Sequence, residues 1–167
     1  MKYTALMITF SAAMALAATV ACAAPSAAAS QALTQAVNRG AVLFAAGHFG
    51  STLHAPLSAS AAFNSFGDTD QQGPVMTCET CHSNGGRTRG HIPGGSSIAS
   101  LINASTIFPR YREHHGVVTM AMQIRHCVRA GIHGRAPAYG SQDIVDLEAY
   151  LGSLAQGQRM LIGGAPR

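Results

Sequence analysis

Lysine is almost missing from this chain of 167 residues; only Lys2 carries it. Tryptophan is absent, aromatic residues make up 6% and charged residues 11%. A nucleic-acid surface needs clustered cations and stacking aromatics. No arginine cluster or aromatic platform occurs here, which argues against that class of partner. No segment shows strong strand alternation and no internal repeat is visible, so the chain reads as helix and loop. Basic charge rests on ten arginines besides Lys2, set against seven acids. A modest basic face suits an acidic partner but demands none.

What is present begins with the N-terminus. Met1 and Lys2 form a short positive start, an apolar run follows to about Val20, and "ACAAP" supplies small residues at a cut site. That order describes a secretory signal peptide over 1–23, with cleavage after Ala23, rather than a membrane anchor. A lipoprotein anchor through Cys22 is the alternative, although Thr19 matches the usual leucine poorly. Cleavage removes Lys2 and leaves a net charge of +3. The expected location is periplasmic, with no membrane attachment after cleavage. The remaining organisation is a flexible leader over 24–34, one domain over 35–158 and a tail over 159–167.

Three helices are expected to frame that domain. From Gln31 to Ala46, apolar residues at Leu33, Ala36, Val37, Ala41, Val42 and Phe44 keep helical spacing. Gly40 inside this run weakens the helix unless another element crosses closely there. Val117–Ala130 reads as a second helix stopped by Gly131, with Met120, Ile124, Cys127 and Val128 on one face. The last runs from a Ser141 N-cap to Leu154, with Ile144, Val145, Leu147, Tyr150, Leu151 and Leu154 forming its apolar face. A short helix over Ser96–Ile102 and an extended "FPRY" at 108–111 are further expectations. Residues 47–74 read as a long loop.

Cysteine spacing carries the chemistry. After cleavage Cys78, Cys81 and Cys127 remain, an odd number in a chain bound for an oxidising compartment. Cys78, Cys81 and His82 form C-x-x-C-H, the pattern of c-type haem attachment. Two thiols on one turn can join the haem edge, and the adjoining imidazole can ligate iron as the proximal ligand. A structural zinc centre would need further paired ligands. No second C-x-x-C or H-x-x-x-H exists, and His114 and His115 are adjacent. A thioredoxin-like pair would need a βαβ context. One covalent haem c is therefore the expected cofactor.

A first helix, then C-x-x-C-H, then a closing helix resembles the class I cytochrome c fold, so the fold class expected is mostly α, a class I cytochrome c-like single-haem domain with long loops. In that fold the first and last helices cross near a glycine and aromatics, for which Gly40, Phe44 and Tyr150 are candidates. The second axial position on the iron stays open among several residues. Met120, Met122 and Met76 could supply a thioether, although Met76 lies close to the motif and methionine is also an ordinary core filler. Cys127 could supply sulfur, and equally could be a small buried residue. His114, His115 and His126 are further candidates.

The stretches "IFPRYREHHGVVTMAMQIRHCVRAG" and "SQDIVDLEAYLGSLAQGQ" resemble the haem domain of the sulfur-oxidising cytochromes, SoxA and the thiosulfate dehydrogenases. The resemblance rests on Phe108, Pro109 and Tyr111; on Ile124 and Cys127; and on Ser141, Leu147, Glu148, Tyr150, Leu151 and Gly157. The final "GAPR" also resembles the SoxA tail. The likeness spans roughly 35–167. It implies Cys127 as distal iron ligand, with Met120 the alternative, and a role in sulfur-compound oxidation.

One position departs from the family pattern. Gln123 stands where an arginine commonly precedes the cysteine by four residues, and a cation is what would hold an anionic thiosulfate. Arg129 and His126 are possible substitutes, and Arg87 and Arg89 possible partners of haem propionates. Two functions of different class follow. One is an electron carrier working with a redox partner cytochrome. The other is a thiosulfate-oxidising or sulfur-conjugating subunit with Cys127 as catalytic residue and a thiosulfate-like small anion as substrate. A ligand-binding sensor cytochrome is the third reading.

Overall fold

The computed structural model describes residues 25–55, 73–92 and 96–164. The proposed signal peptide and most of the loop over 47–74 lie outside them. Helix α1 spans Ala27–Ala46, earlier than the spacing of apolar residues alone indicates. Ser26 caps it, its hydroxyl accepting from the Ala29 N–H at 3.2 Å. Alanine has the strongest helix propensity, so the Ala-rich stretch continues the helix without any core to pack on. The expected flexible leader is therefore helical from Ala27. Its residues before Ala36 remain exposed.

The face of α1 that enters the core is narrower than the sequence suggests. Ala36, Gly40 and Phe44, spaced by four, are buried. Leu33 and Val42 are 61% and 66% exposed. The last helix, α5, spans Gln142–Leu154 behind Ser141, in agreement with the expected bounds. It buries Ile144, Leu147, Tyr150, Leu151 and Leu154, whereas Val145 is 44% exposed. Helices α1 and α5 pack closely and form the main core with Ile124.

Between them lie shorter pieces. Helix α2 is the single turn Cys78–Cys81. Strand β1 (Gly90–His91) pairs antiparallel with β2 (Ser97–Ile98). The helix expected over Ser96–Ile102 is thus absent: its start is a strand, and the nearest helix is α3, Ala104–Ile107. The β-branched Ile98 suits the pleated pairing better than a helical turn. Strand β3 (Arg110–Arg112) pairs with β4 (Gly116–Val118). Strands of two or three residues are too short for alternation to register, which is why no strand was expected.

The helix expected over Val117–Ala130 begins three residues later. Val117 and Val118 belong to β4, and Thr119 caps α4 (Met120–His126), its hydroxyl accepting from the Met122 N–H at 3.2 Å. The helix then widens into a π turn over Cys127–Gly131. A second cluster, Met76, Val128 and Ile132, packs beneath the C-x-x-C-H turn, and a third gathers Ile107, Phe108 and Val118. The expected tail is partly tied down, since the N–H groups of Leu161 and Gly163 donate to the Thr106 and Ile107 carbonyls. None of the helices among the described residues is long and apolar enough to cross a membrane.

Candidate haem site

The C-x-x-C-H turn is held from both ends. The Thr77 N–H donates to Thr80 Oγ1 at 3.0 Å, fixing the start of α2. Glu79 Oε1 accepts from the Gly85 N–H at 3.0 Å, folding the following loop back over the turn. The Tyr150 hydroxyl of α5 donates to the Gly85 carbonyl at 2.8 Å. The Phe44 ring lies 5.3 Å from that of Tyr150 and 6.3 Å from that of His82. The crossing of the first and last helices thereby sets the position of the imidazole.

Cys78, Cys81 and His82 line a cavity of about 590 Å³. This lies within the roughly 300–1,000 Å³ typical of sites that enclose small molecules and cofactors. Another wall comes from Met120, Gln123, Ile124 and Cys127, and apolar residues such as Leu101, Ile107 and Leu151 complete much of the lining. Burial pushes the Cys78 thiol up to about 12, the Cys127 sulfur adding to the effect, and raises Cys81 for the same two reasons. Both thiols are thus held protonated. Burial also lowers the His82 pKa, so its imidazole is favoured in the neutral form that can ligate metal. Its Nδ1 is buried with no hydrogen-bond partner among the described residues. Two thiols one turn apart, a neutral imidazole with an orphaned nitrogen and a largely apolar cavity fit a covalently held haem.

The structure sorts the other candidates. Cys127 stands at the junction where α4 becomes the π turn, a distortion frequent at functional sites. Its sulfur accepts from Gln123 Nε2 at 3.3 Å. Met120 also lines the cavity, whereas Met122 does not and packs against the Ile107 cluster instead. Met76 is 0% exposed and serves the core beneath the motif as well as the cavity wall. His126 reaches the lining, but His114 and His115 are exposed in the β3–β4 turn. Arg125 lies over the Tyr139 ring, 4.1 Å from its centroid, and donates to the Pro137 carbonyl. Arg87, Arg89 and Arg129 are exposed and absent from the lining.

Among the described residues, the arginines that line the cavity are Arg110 and Arg112, neither of which the sequence pattern singles out. Alternate residues of a strand share a face, so β3 directs both toward the same side. Arg110 lies over the Phe108 ring, 5.0 Å from its centroid, and its buried Nε has no partner among the described residues. Burial and the neighbouring Arg112 charge lower its pKa. The signal was the period-two placement of two arginines after Pro109, hidden by the brevity of the strand.

The family model described as SoxA/TsdA, cytochrome c domain, matches residues 66–160. The chain belongs to that family. It is 30% identical over 89 residues to the thiosulfate dehydrogenase of Thiomonas intermedia, covering 53% of this chain and 26% of that protein. The thiosulfate dehydrogenase of Allochromatium vinosum gives the same identity over the same length, with 32% of that protein covered. Among solved structures, thiosulfate dehydrogenase (TsdBA) from Marichromatium purpuratum superposes with a TM-score of 0.51 at 24% identity. That match covers 81% of this chain and 27% of the other. The aligned parts thus amount to between a quarter and a third of these relatives. The mostly helical class I-like cytochrome fold and a c-type cytochrome identity follow from these matches. A cytochrome c domain implies haem c, in accord with the donors around the cavity.

Proposed function

We propose that this SoxA/TsdA-type domain is an exported electron-transfer cytochrome with one covalent haem, acting in the oxidation of sulfur compounds. Cys78 and Cys81 would hold the haem through thioethers, with His82 as proximal and Cys127 as distal ligand. The haem iron supplies a one-electron redox centre whose potential its ligands and burial set. Phe44 and the Tyr150–Gly85 bond position His82, while the apolar lining keeps water from the ligands. The electron would pass to a redox partner cytochrome, and a periplasmic location rests on the signal peptide expected over 1–23. The observation that carries the ligand assignment is that Cys127 shares one cavity with Cys78, Cys81 and His82.

Near-infrared magnetic circular dichroism of the ferric protein tests this reading, because the charge-transfer band separates thiolate, thioether and bis-imidazole ligation. A thiolate-type band lost in Cys127→Ala is the expected result. A thioether-type band that survives the substitution removes Cys127 from the iron.

A second reading is favoured by the two arginines. Arg110 and Arg112 place cations at the cavity although position 123 carries glutamine. Guanidinium groups are matched to small oxyanions, so a thiosulfate-like anion could be held beside the Cys127 sulfur, making that residue catalytic. Joining two thiosulfate ions through a new S–S bond releases two electrons, and a single haem accepts one, so this activity needs a partner cytochrome. Saturable thiosulfate-dependent reduction of the ferric protein, lost in Arg110→Leu, distinguishes it from simple electron carriage.

A further inference from the structure

Gln123 and Cys127 are four residues apart on α4, the spacing that brings helical side chains into contact. The Gln123 Nε2 donates to the Cys127 sulfur at 3.3 Å. Its Oε1 accepts from Arg112 Nη1 at 3.1 Å. All three residues line the same cavity. Arginine can only donate, so the amide oxygen must face Arg112 and the NH₂ must face the sulfur. The reversed amide would set two donors against each other and leave an oxygen facing the sulfur. Arg112 therefore fixes which end of Gln123 the cysteine meets. The residue is delivered by the β3–β4 hairpin, where it pairs with Gly116 next to the turn.

We propose that Arg112 and Gln123 form a two-step relay that positions and polarises the Cys127 sulfur, with a neutral amide carrying the influence of a cation held behind it. The proposal rests on the reading of Cys127 as distal ligand and deepens it. Hydrogen bonds in series strengthen one another, and a guanidinium on the amide oxygen makes its N–H a better donor. Hydrogen bonding to a metal-ligating sulfur draws electron density from it and is a recognised control on reduction potential. Gln123 and Arg112 are thus positioning residues, and their effect appears in the potential and the ligand-field spectrum.

The test compares holoproteins carrying Gln123→Leu, Gln123→Glu, Arg112→Leu and the pair Arg112→Leu/Gln123→Leu. Loss of the donor leaves the sulfur more electron-rich and favours the ferric state. Spectroelectrochemistry should show a downward shift for Gln123→Leu, at least as large a shift for Gln123→Glu, and a smaller one for Arg112→Leu. The double variant should shift by less than the sum of the two single variants, because part of the Arg112 effect passes through the amide. With Cys127 established on the iron by its charge-transfer band, fully additive shifts, or no shift in Gln123→Leu, would overturn the relay.

A second readout does not require that Cys127 bind the iron. The Gln123 side-chain amide resonance of the ferrous protein, assigned by its loss in Gln123→Leu, should move in both Arg112→Leu and Cys127→Ala. A resonance indifferent to both would also sink the proposal. If Cys127→Ala leaves the charge-transfer band unchanged, the ligand assignment falls, and the amide resonance still decides whether the relay exists.

Discussion

Gly40 of α1 lies against the backbone of Asp146 on α5, so closely that a Cβ added to it would fall 2.0 Å from the Asp146 carbonyl oxygen and 2.7 Å from the Tyr150 Cβ. Neither neighbour is the movable tip of a long side chain. Gly40→Ala must therefore push the two helices apart, although alanine is the better helix former. The expected loss is at least about 1–3 kcal/mol, the range for overpacked cores, read from guanidinium denaturation of the holoprotein. Because the same crossing sets Phe44 and Tyr150 around the haem turn, the ferric absorption spectrum should also change. A variant as stable as the parent would show that the helices can separate freely.

Tyr150 connects this crossing to the loop after the motif. Tyr150→Phe removes the hydroxyl that donates to the Gly85 carbonyl and leaves the ring against Phe44. The expected loss is about 0.5–1.5 kcal/mol, that of one hydrogen bond. Gly85→Ala should be worse than Tyr150→Phe. Its φ is +60°, and an added Cβ would lie 2.6 Å from the tyrosine oxygen. Thermal denaturation of the two variants ranks them, and the opposite order would mean that this loop relaxes around the added methyl.

Acid sensitivity should centre on Asp146, which is buried and paired with Arg39 through Nε–Oδ2 at 2.7 Å and Nη2–Oδ1 at 2.9 Å. The hydrogen bond from Arg39 lowers the Asp146 pKa from its ordinary 3.8. A carboxylate with a depressed folded-state pKa contributes stability that is present above its unfolded value and is lost as pH falls through the folded one. The Asp146 contribution should therefore begin to fall near the ordinary value of 3.8 and be lost as pH drops through the lower folded-state value. Asp146→Asn should lower stability at neutral pH and flatten its decline between pH 4 and 2, as followed by far-ultraviolet circular dichroism. An unchanged slope would place the acid-labile groups elsewhere.

Covalent attachment and haem number can be read by mass. The chain carries a single C-x-x-C-H, so the exported protein should gain the mass of one haem and begin at Ala24. Cys78→Ser/Cys81→Ser should lose all haem stain on a denaturing gel. A retained stain, or a second haem mass, would contradict the single-site assignment.

The C-x-x-C-H pattern was visible because it is local: Cys78, Cys81 and His82 stand on one short turn and the residue after it. The helix crossing was legible too, since Gly40 sits where a helix former is otherwise favoured and Phe44 follows one turn later. The extended run expected at 108–111 is present in part, since β3 takes up Arg110 and Tyr111, but its pairing with β4 escaped notice. Three residues cannot display alternation, and Val117 fits the apolar rhythm of the helix that follows. With the hairpin hidden, Arg110 and Arg112 had no direction, and Gln123 was legible only as a missing cation. Its partner across the cavity is set by tertiary packing. Arg87 and Arg89 had sequence proximity to the motif in their favour, but the chain between α2 and β1 leaves them exposed.

Met120 provides the sharpest control on the distal position, because it lines the same cavity as Cys127 and could offer a thioether from the first residue of α4. It also packs against both the Phe44–Tyr150 and the Ile107–Val118 clusters, which is the role of an adaptable filler between two packed groups. Met120→Leu preserves volume and apolarity, so the stability loss should stay under about 1.5 kcal/mol. If Cys127 is the distal ligand, the near-infrared band and the ferric Soret maximum of Met120→Leu should match those of the parent protein. Loss of a thioether-type band in this variant would transfer the ligand role to Met120. The Arg112–Gln123 pair would then act on a sulfur that does not touch the iron, and neither substitution in that pair should move the reduction potential.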